Sequence, residues 1–281
     1  MRRRGFTLVE LMVAVVMFST VAAALYRVLT AQQRLAVSQT EQAALQASVR
    51  TGSMIASNEL WELASNAAGV SDISAFDGGG LTYRAMRSLG FACQVSQTEV
   101  RIRTSPLYQY RSIVGGQDSL LLWVEGDPDI SSDDRWLPLR ISAVASGSTC
   151  GAAPAIALTI QPINLAVTPL SSIVLDAPIR TFEVMELRAI AVGSQTWLGA
   201  RSVSGGQATL LPVAGPVTSN GLGFDYLDSL GNATVAVGRI RSIRITLRGE
   251  SDRAVRNVQN SQIQLLHDSL VTTVTLRNTP Q

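Results

Sequence analysis

From Phe6 to Tyr26 the chain runs 21 residues without a proline, a glycine or any charge except that of Glu10. At about 1.5 Å of rise per residue, such a run spans ~30 Å as a helix, the thickness of a bilayer core. A helix of this composition must be solvated by lipid or by other apolar helices, and that requirement constrains the fold more than any other segment does. The acid is the anomaly. A charged side chain in an inserted helix costs roughly 2.5–3.5 kcal/mol at the centre and less near an end. Glu10 is therefore a candidate functional residue in need of a cationic partner. Arg2, Arg3 and Arg4 precede the run and only Arg27 follows it closely. That asymmetry places the N-terminus in the cytoplasm and the remainder across the membrane.

Cleavage between Gly5 and Phe6 would supply a partner, an α-amine at Phe6 four residues from Glu10. The segment GFTLVELMVAVVMF behind a short basic leader resembles the class III signal of the type IV pilin superfamily. The resemblance implies that a prepilin peptidase cuts after Gly5 and N-methylates Phe6. It implies that Glu10 neutralises the Phe6 amine of a neighbouring subunit during assembly. It also implies an inner-membrane precursor with a periplasmic head, later carried to the pilus or cell surface. Its partners would be other minor and major pilins and the inner-membrane assembly platform. Two simpler readings compete. One is a secretory signal cut near Ala22-Ala23-Ala24, the other a twin-arginine signal on Arg3-Arg4. A charged Glu10 within the apolar run counts against both.

The 281 residues leave ample chain for a folded head. Removing Arg2, Arg3 and Arg4 leaves 20 basic side chains against 21 acidic ones, so the processed protein has no global cationic field for nucleic acid. Cys93 and Cys150 are the only cysteines. In an oxidising compartment they form one candidate disulfide, and two buried thiols are the alternative.

Helical periodicity continues past the apolar run. Leu45, Val49, Gly52, Ala56, Leu60 and Leu63 recur at steps of three or four, with polar residues between them. The pattern predicts one helix from about Phe6 to Leu63, apolar all round at first and amphipathic later, with Asn66 and Gly69 as terminators. Beyond Gly69 the texture becomes that of short strands and turns. Strands are expected at 99–104, 119–124, 139–144, 155–160, 180–191 (in one piece or two), 223–227, 242–248 and 269–277. A loop at Asp77-Gly78-Gly79-Gly80 is expected to precede a short helical stretch, Tyr83–Leu89. The fold class is α+β: a long N-terminal spine helix packed on an antiparallel β-rich head. The divisions are a leader at 1–5, a transmembrane half-helix at 6–26, an amphipathic half-helix at 27–64 and the head at 65–281.

Phe224-Asp225-Tyr226 to Asn232, the strand Ile243-Arg244-Ile245-Thr246-Leu247 and the tail Val274-Thr275-Leu276-Arg277-Asn278 follow in order. Together they resemble the C-terminal half of minor pilins of the PilW type and of the J-type pseudopilin of type II secretion. Asp228 to Asn232 reads as a turn joining two strands.

Asp127, Asp129, Asp133 and Asp134 crowd one loop and form a candidate Ca²⁺ site. Their spacing does not match the twelve-residue helix-loop-helix calcium pattern, so a solvated acidic turn is the preferred reading and no cofactor is expected. Arg239, Arg241, Arg244 and Arg248 form a candidate nucleic-acid contact. Without interleaved aromatics they read instead as a solvent face or a subunit contact. His267 is the only histidine, and no nucleophile dyad, metal-spaced cluster or phosphate loop accompanies it, so no enzyme is expected. The function these features imply is a minor pilin that primes or caps a type IV pilus. The alternatives are a type II secretion pseudopilin and a pilus-associated module that binds DNA or a surface.

Overall fold

A computed structural model describes residues 7–65, 71–127, 129–130, 132–256 and 262–277. The chain divides into two compact units, one formed by Met1–Ala47 with Glu250–Asp268 and the other by Ser48–Gly249 with Ser269–Gln281. Among the described residues, one α-helix, α1 (Leu8–Trp61), is followed by fourteen strands. They are β1 (Ile73–Asp77), β2 (Gly80–Val95), β3 (Glu99–Arg103), β4 (Tyr108–Gln109), β5 (Ser119–Val124), β6 (Arg135–Cys150), β7 (Ala153–Ile160), β8 (Ala177–Val192), β9 (Gln195–Ser202), β10 (Leu211–Leu227), β11 (Ser242–Glu250), β12 (Val255–Arg256), β13 (Ile263–Gln264) and β14 (His267–Thr275). The α+β class is as expected, a long apolar helix followed by a large antiparallel sheet.

In the first unit, the helix up to Ala47 is accompanied by the β12–β13 hairpin. Ser251 clamps the base of the hairpin: its N–H donates to Leu266 O, and its hydroxyl accepts from Leu266 N.

The second unit is organised by two long strands. β2 and β8 pair antiparallel from Gly80↔Arg188 to Ala92↔Ala177. At one end of this ladder the pairings run β2–β3–β7–β6–β5–β8 and return to β2, closing a ring of six strands. Alternation puts one face of each strand inside, where Val100, Ile102, Leu120, Leu122, Ile141, Leu158 and Ile179 form a buried cluster. A disulfide joins Cys93 at the end of β2 to Cys150 at the end of β6, bracing one wall of the barrel. At the other end of the ladder, the sheet is open in the order β1-β2-β8-β9-β10-β11-β14.

The two sheets part on β8. β5 pairs with its residues up to Phe182, and β9 takes over from Met185. The gap is sealed by hydrogen bonds between Val184 and the Val203–Ser204 turn, and Glu183 points into it. Arg87 Nε lies 3.0 Å and Arg111 Nη2 2.9 Å from the Glu183 carboxylate, and Gln117 donates to it as well. Arg111 also forks onto the fully buried Asp118 carboxylate, and Arg87 reaches Glu59 of the helix at 3.6 Å. Burial pushes Glu183 up. Hydrogen bonds from Ser202, Arg111, Arg87 and Gln117 outweigh it and bring the group down to about 2.

The helix from Ser48 onward is seated on the open sheet. Val49, Gly52, Ser53, Ala56 and Leu60 are buried, as are Leu45 and Leu63, in the predicted periodicity. Gly52 sets the distance: a Cβ there would come within 2.8 Å of Ala214 Cβ and 3.6 Å of Leu247 Cδ1. Ser53 and Thr272 share a hydroxyl hydrogen bond at 2.7 Å, and the Ser48 hydroxyl donates to Gly215 O at 2.7 Å. The helix ends at Trp61, before the expected terminators Asn66 and Gly69, which lie outside the described residues. Its terminal carbonyls are satisfied by the fold instead. Arg277 N–H donates to Trp61 O, and Asp72 N–H donates to Ala64 O. The Asp72 carboxylate accepts from Ala64 N at 2.8 Å.

Two expectations are corrected. Tyr83–Leu89 is not helical; it lies within β2, where Tyr83 and Ala85 are buried and Thr82 and Arg84 are not, a period of two. The strand ladder with β8 overrides its local helix propensity. The Asp228–Asn232 turn exists, with Asp228 Oδ1 accepting from Leu230 N and Asn232 N and Gly231 at φ +81°. It does not join the strands directly, because a bridge at Leu227↔Ala233 and a 3₁₀ turn (Val237–Arg239) intervene before β11. The 180–191 segment is one strand, and β1, β4, β9, β12 and β13 were not anticipated.

Two measurements test this packing. Gly52→Val forces a side chain against Ala214 and should lower stability by about 1–3 kcal/mol, read by denaturant unfolding in detergent. Burial raises Asp72 to about 6, against hydrogen bonding from Ala64 and the fields of Arg84 and Arg180. An acid raised in the folded state costs stability as pH climbs from its unfolded value through its folded one. Stability should therefore fall between about pH 4 and 6, by on the order of 3 kcal/mol from this group. Asp72→Asn keeps the acceptor for Ala64 N–H and should flatten that part of the pH profile.

Candidate functional site

The apolar run forms the first part of α1, and nothing in the structure covers it. Every residue from Thr7 to Leu29 is exposed, including Leu8, Met12, Phe18 and Leu25. It is the one helix among the described residues long and apolar enough to cross a membrane. Its few polar side chains are satisfied within the helix. Ser19 Oγ donates to Val16 O at 2.9 Å, and Thr20 Oγ1 donates to Met17 O at 2.8 Å. That back-bonding lets hydroxyls sit in lipid, where no water is available.

Glu10 is satisfied in a different way. Its carboxylate accepts from Thr7 N–H at 3.0 Å and from the Thr7 hydroxyl at 3.1 Å, while Glu10 N–H donates to Thr7 Oγ1 at 3.3 Å. This is a reciprocal capping box, T-x-x-E, at the first turn of the helix. The first-turn N–H groups have no intrahelical acceptors, and the helix dipole is positive there, so a carboxylate is better tolerated at this end than further along the apolar run. Thr7 was not singled out from the sequence. The signal is the Thr7-Leu8-Val9-Glu10 spacing, in which a hydroxyl and an amide rather than a charge meet the carboxylate. Gly5 and Phe6 lie outside the described residues.

The remaining candidate residues are not brought together into a site. In the acidic loop, Asp133 accepts from Asp127 N, Asp134 from Gly126 N and Asp127 from Asp129 N, so carboxylates close the turn on its own backbone. Among the described residues, no group of three or more His, Cys, Asp or Glu side chains is placed to hold a metal ion. The arginine strip is divided. Arg241 donates to Ser65 Oγ and to the carbonyls of Gly238 and Ile240, whereas Arg239, Arg244 and Arg248 are exposed. Arg244 lies across from Asp225 in the register with β10. His267 opens β14 and is exposed.

Residues 1–26 match the family described as the prokaryotic N-terminal methylation motif. No curated protein and no solved structure matches the chain. The match supports a type IV pilin-like or pseudopilin role and a structural rather than catalytic protein. It implies processing by prepilin peptidase, assembly with other pilins and anchoring in a membrane by one N-terminal helix. Thr7→Ala removes the capping hydroxyl and should cost about 0.5–2 kcal/mol in the first turn. Faster amide hydrogen exchange at Glu10 and Leu11 in detergent micelles is the expected readout.

Proposed function

We propose that this chain is a minor pilin, a structural subunit that primes or caps assembly of a type IV pilus after cleavage between Gly5 and Phe6. The observation that carries the reading is the uncovered apolar run whose one acid, Glu10, is held by the cap at the start of the helix.

Before assembly, the apolar segment is solvated by acyl chains and Glu10 rests on Thr7. Cleavage frees the Phe6 amine, a cation four residues from Glu10. When a subunit leaves lipid for a bundle of like helices, a neighbour's amine can replace the Thr7 amide as donor to Glu10. Inside such a bundle, removing one member of an ion pair costs about 3–5 kcal/mol, because the other charge is left buried and alone. Subunits at the wrong axial height would incur that cost, so the pair sets register. The six-stranded barrel set into the sheet makes a bulky head, which suits an end of a filament better than its shaft. A pseudopilin of type II secretion would use the same helix chemistry and differs in the machine it joins.

Mass spectrometry of the native protein should find a mature N-terminus at methylated Phe6. Glu10→Ala and Glu10→Gln should lower recovery in sheared filaments by at least about tenfold, as the cost of an unpaired amine predicts. Membrane levels of the precursor should stay unchanged. Undiminished incorporation of either variant would refute the reading.

A further inference from the structure

The outer face of the barrel carries side chains that a solvated strand surface does not need. The strand register aligns Leu121, Arg180, Leu89 and Tyr108 in one cross-strand row over β5, β8, β2 and β4. Leu89 is 43% and Tyr108 68% exposed. In the next row Trp123 sits opposite Trp136, with ring centroids 5.0 Å apart and edge to face. The Arg180 guanidinium lies 5.0 Å over the Trp136 ring and joins none of the ion pairs among the described residues. Arg180, Leu89 and Tyr108 line a cleft of about 710 Å³. The cleft is bounded on its other side by Arg277, stacked 5.6 Å over Trp61, and by Tyr110, whose hydroxyl donates to Glu62.

This chemistry selects a ligand class. The volume is that of a small-ligand cleft. Exposed aromatic faces carry partial negative charge, which suits the C–H face of a sugar ring. A guanidinium held flat on tryptophan keeps its N–H edge free for bidentate contact with a carboxylate. Single-stranded nucleic acid also stacks on aromatics, but it needs a cationic track for a phosphate at every nucleotide. Here there are two arginines with Glu62 between the same walls.

We propose that this cleft binds an acidic polysaccharide, with a pyranose ring on Tyr108 and a uronate carboxylate on Arg180. The site goes beyond the filament role and is independent of which machine the subunit serves.

The test uses the full-length protein in detergent micelles, titrated with a galacturonate hexasaccharide and followed by calorimetry and tryptophan fluorescence. Saturable binding is expected, with a fluorescence change from Trp123 and Trp136. Arg180→Gln should weaken it about tenfold, the order expected for a charge-assisted hydrogen bond. Tyr108→Ala, at an exposed position that leaves folding intact, should weaken it similarly, and Arg244→Gln should leave it unchanged. A neutral maltohexaose should bind at least about tenfold more weakly, for the same loss of the carboxylate contact. The proposal is overturned by absence of saturable binding, or by equal binding of the neutral sugar. It is equally overturned if the Arg180 and Tyr108 variants both bind as the parent does. Tighter binding of a thymidylate dodecamer through those same residues would replace the ligand class.

Discussion

The ladder between β2 and β8 supports everything else in the second unit. From Gly80 to Ala92 it pairs with Arg188 to Ala177, with one register shift between Met86 and Ser88, and is long enough to serve as a wall of a closed barrel at one end and the middle of an open sheet at the other. Closing the barrel buries the aliphatic side chains of six strands without leaving an edge to aggregate. Keeping the far end open leaves a face on which Val49, Ala56 and Leu60 of the helix can be buried. A break in this ladder would affect the barrel, the sheet and the seat of the helix together.

Where strand partners change, the backbone is left short of hydrogen bonds, and polar groups collect at that point. Glu183 lies at the fork with two arginines, a glutamine and a serine around it, so its charge is retained despite burial. Asp72 is also buried, yet its strongest direct contact is one backbone amide, and burial dominates there. The contrast shows that the number of donors, and not depth alone, decides whether a buried carboxylate stays ionised.

Exposed apolar surface of different character occurs on the N-terminal helix and in the barrel cleft. The exposed run of the N-terminal helix is mostly aliphatic, which suits lipid or identical helices. The barrel cleft mixes tyrosine and leucine with arginine and hydroxyl groups, which suits a ligand carrying both apolar faces and charge.

Periodicity made the helix legible: the apolar run, the lone Glu10 and the stripe from Leu45 to Leu63 are local patterns, and the structure buries that stripe residue for residue. The strand expected at 242–248 was legible for the same reason, because Ser242–Glu250 alternates cleanly between buried and more exposed residues. Tyr83–Leu89 was not, because its propensity is helical and it is held extended by pairing with other strands, above all the distant β8. The closed barrel, the fork at Glu183 and the Arg180–Tyr108 row depend on register between residues far apart in the chain. Local sequence therefore determined that a membrane-length helix with one acid precedes a β-rich head. Tertiary structure alone decided which strands pair and which side chains meet, because those contacts arise only when distant segments are brought into register.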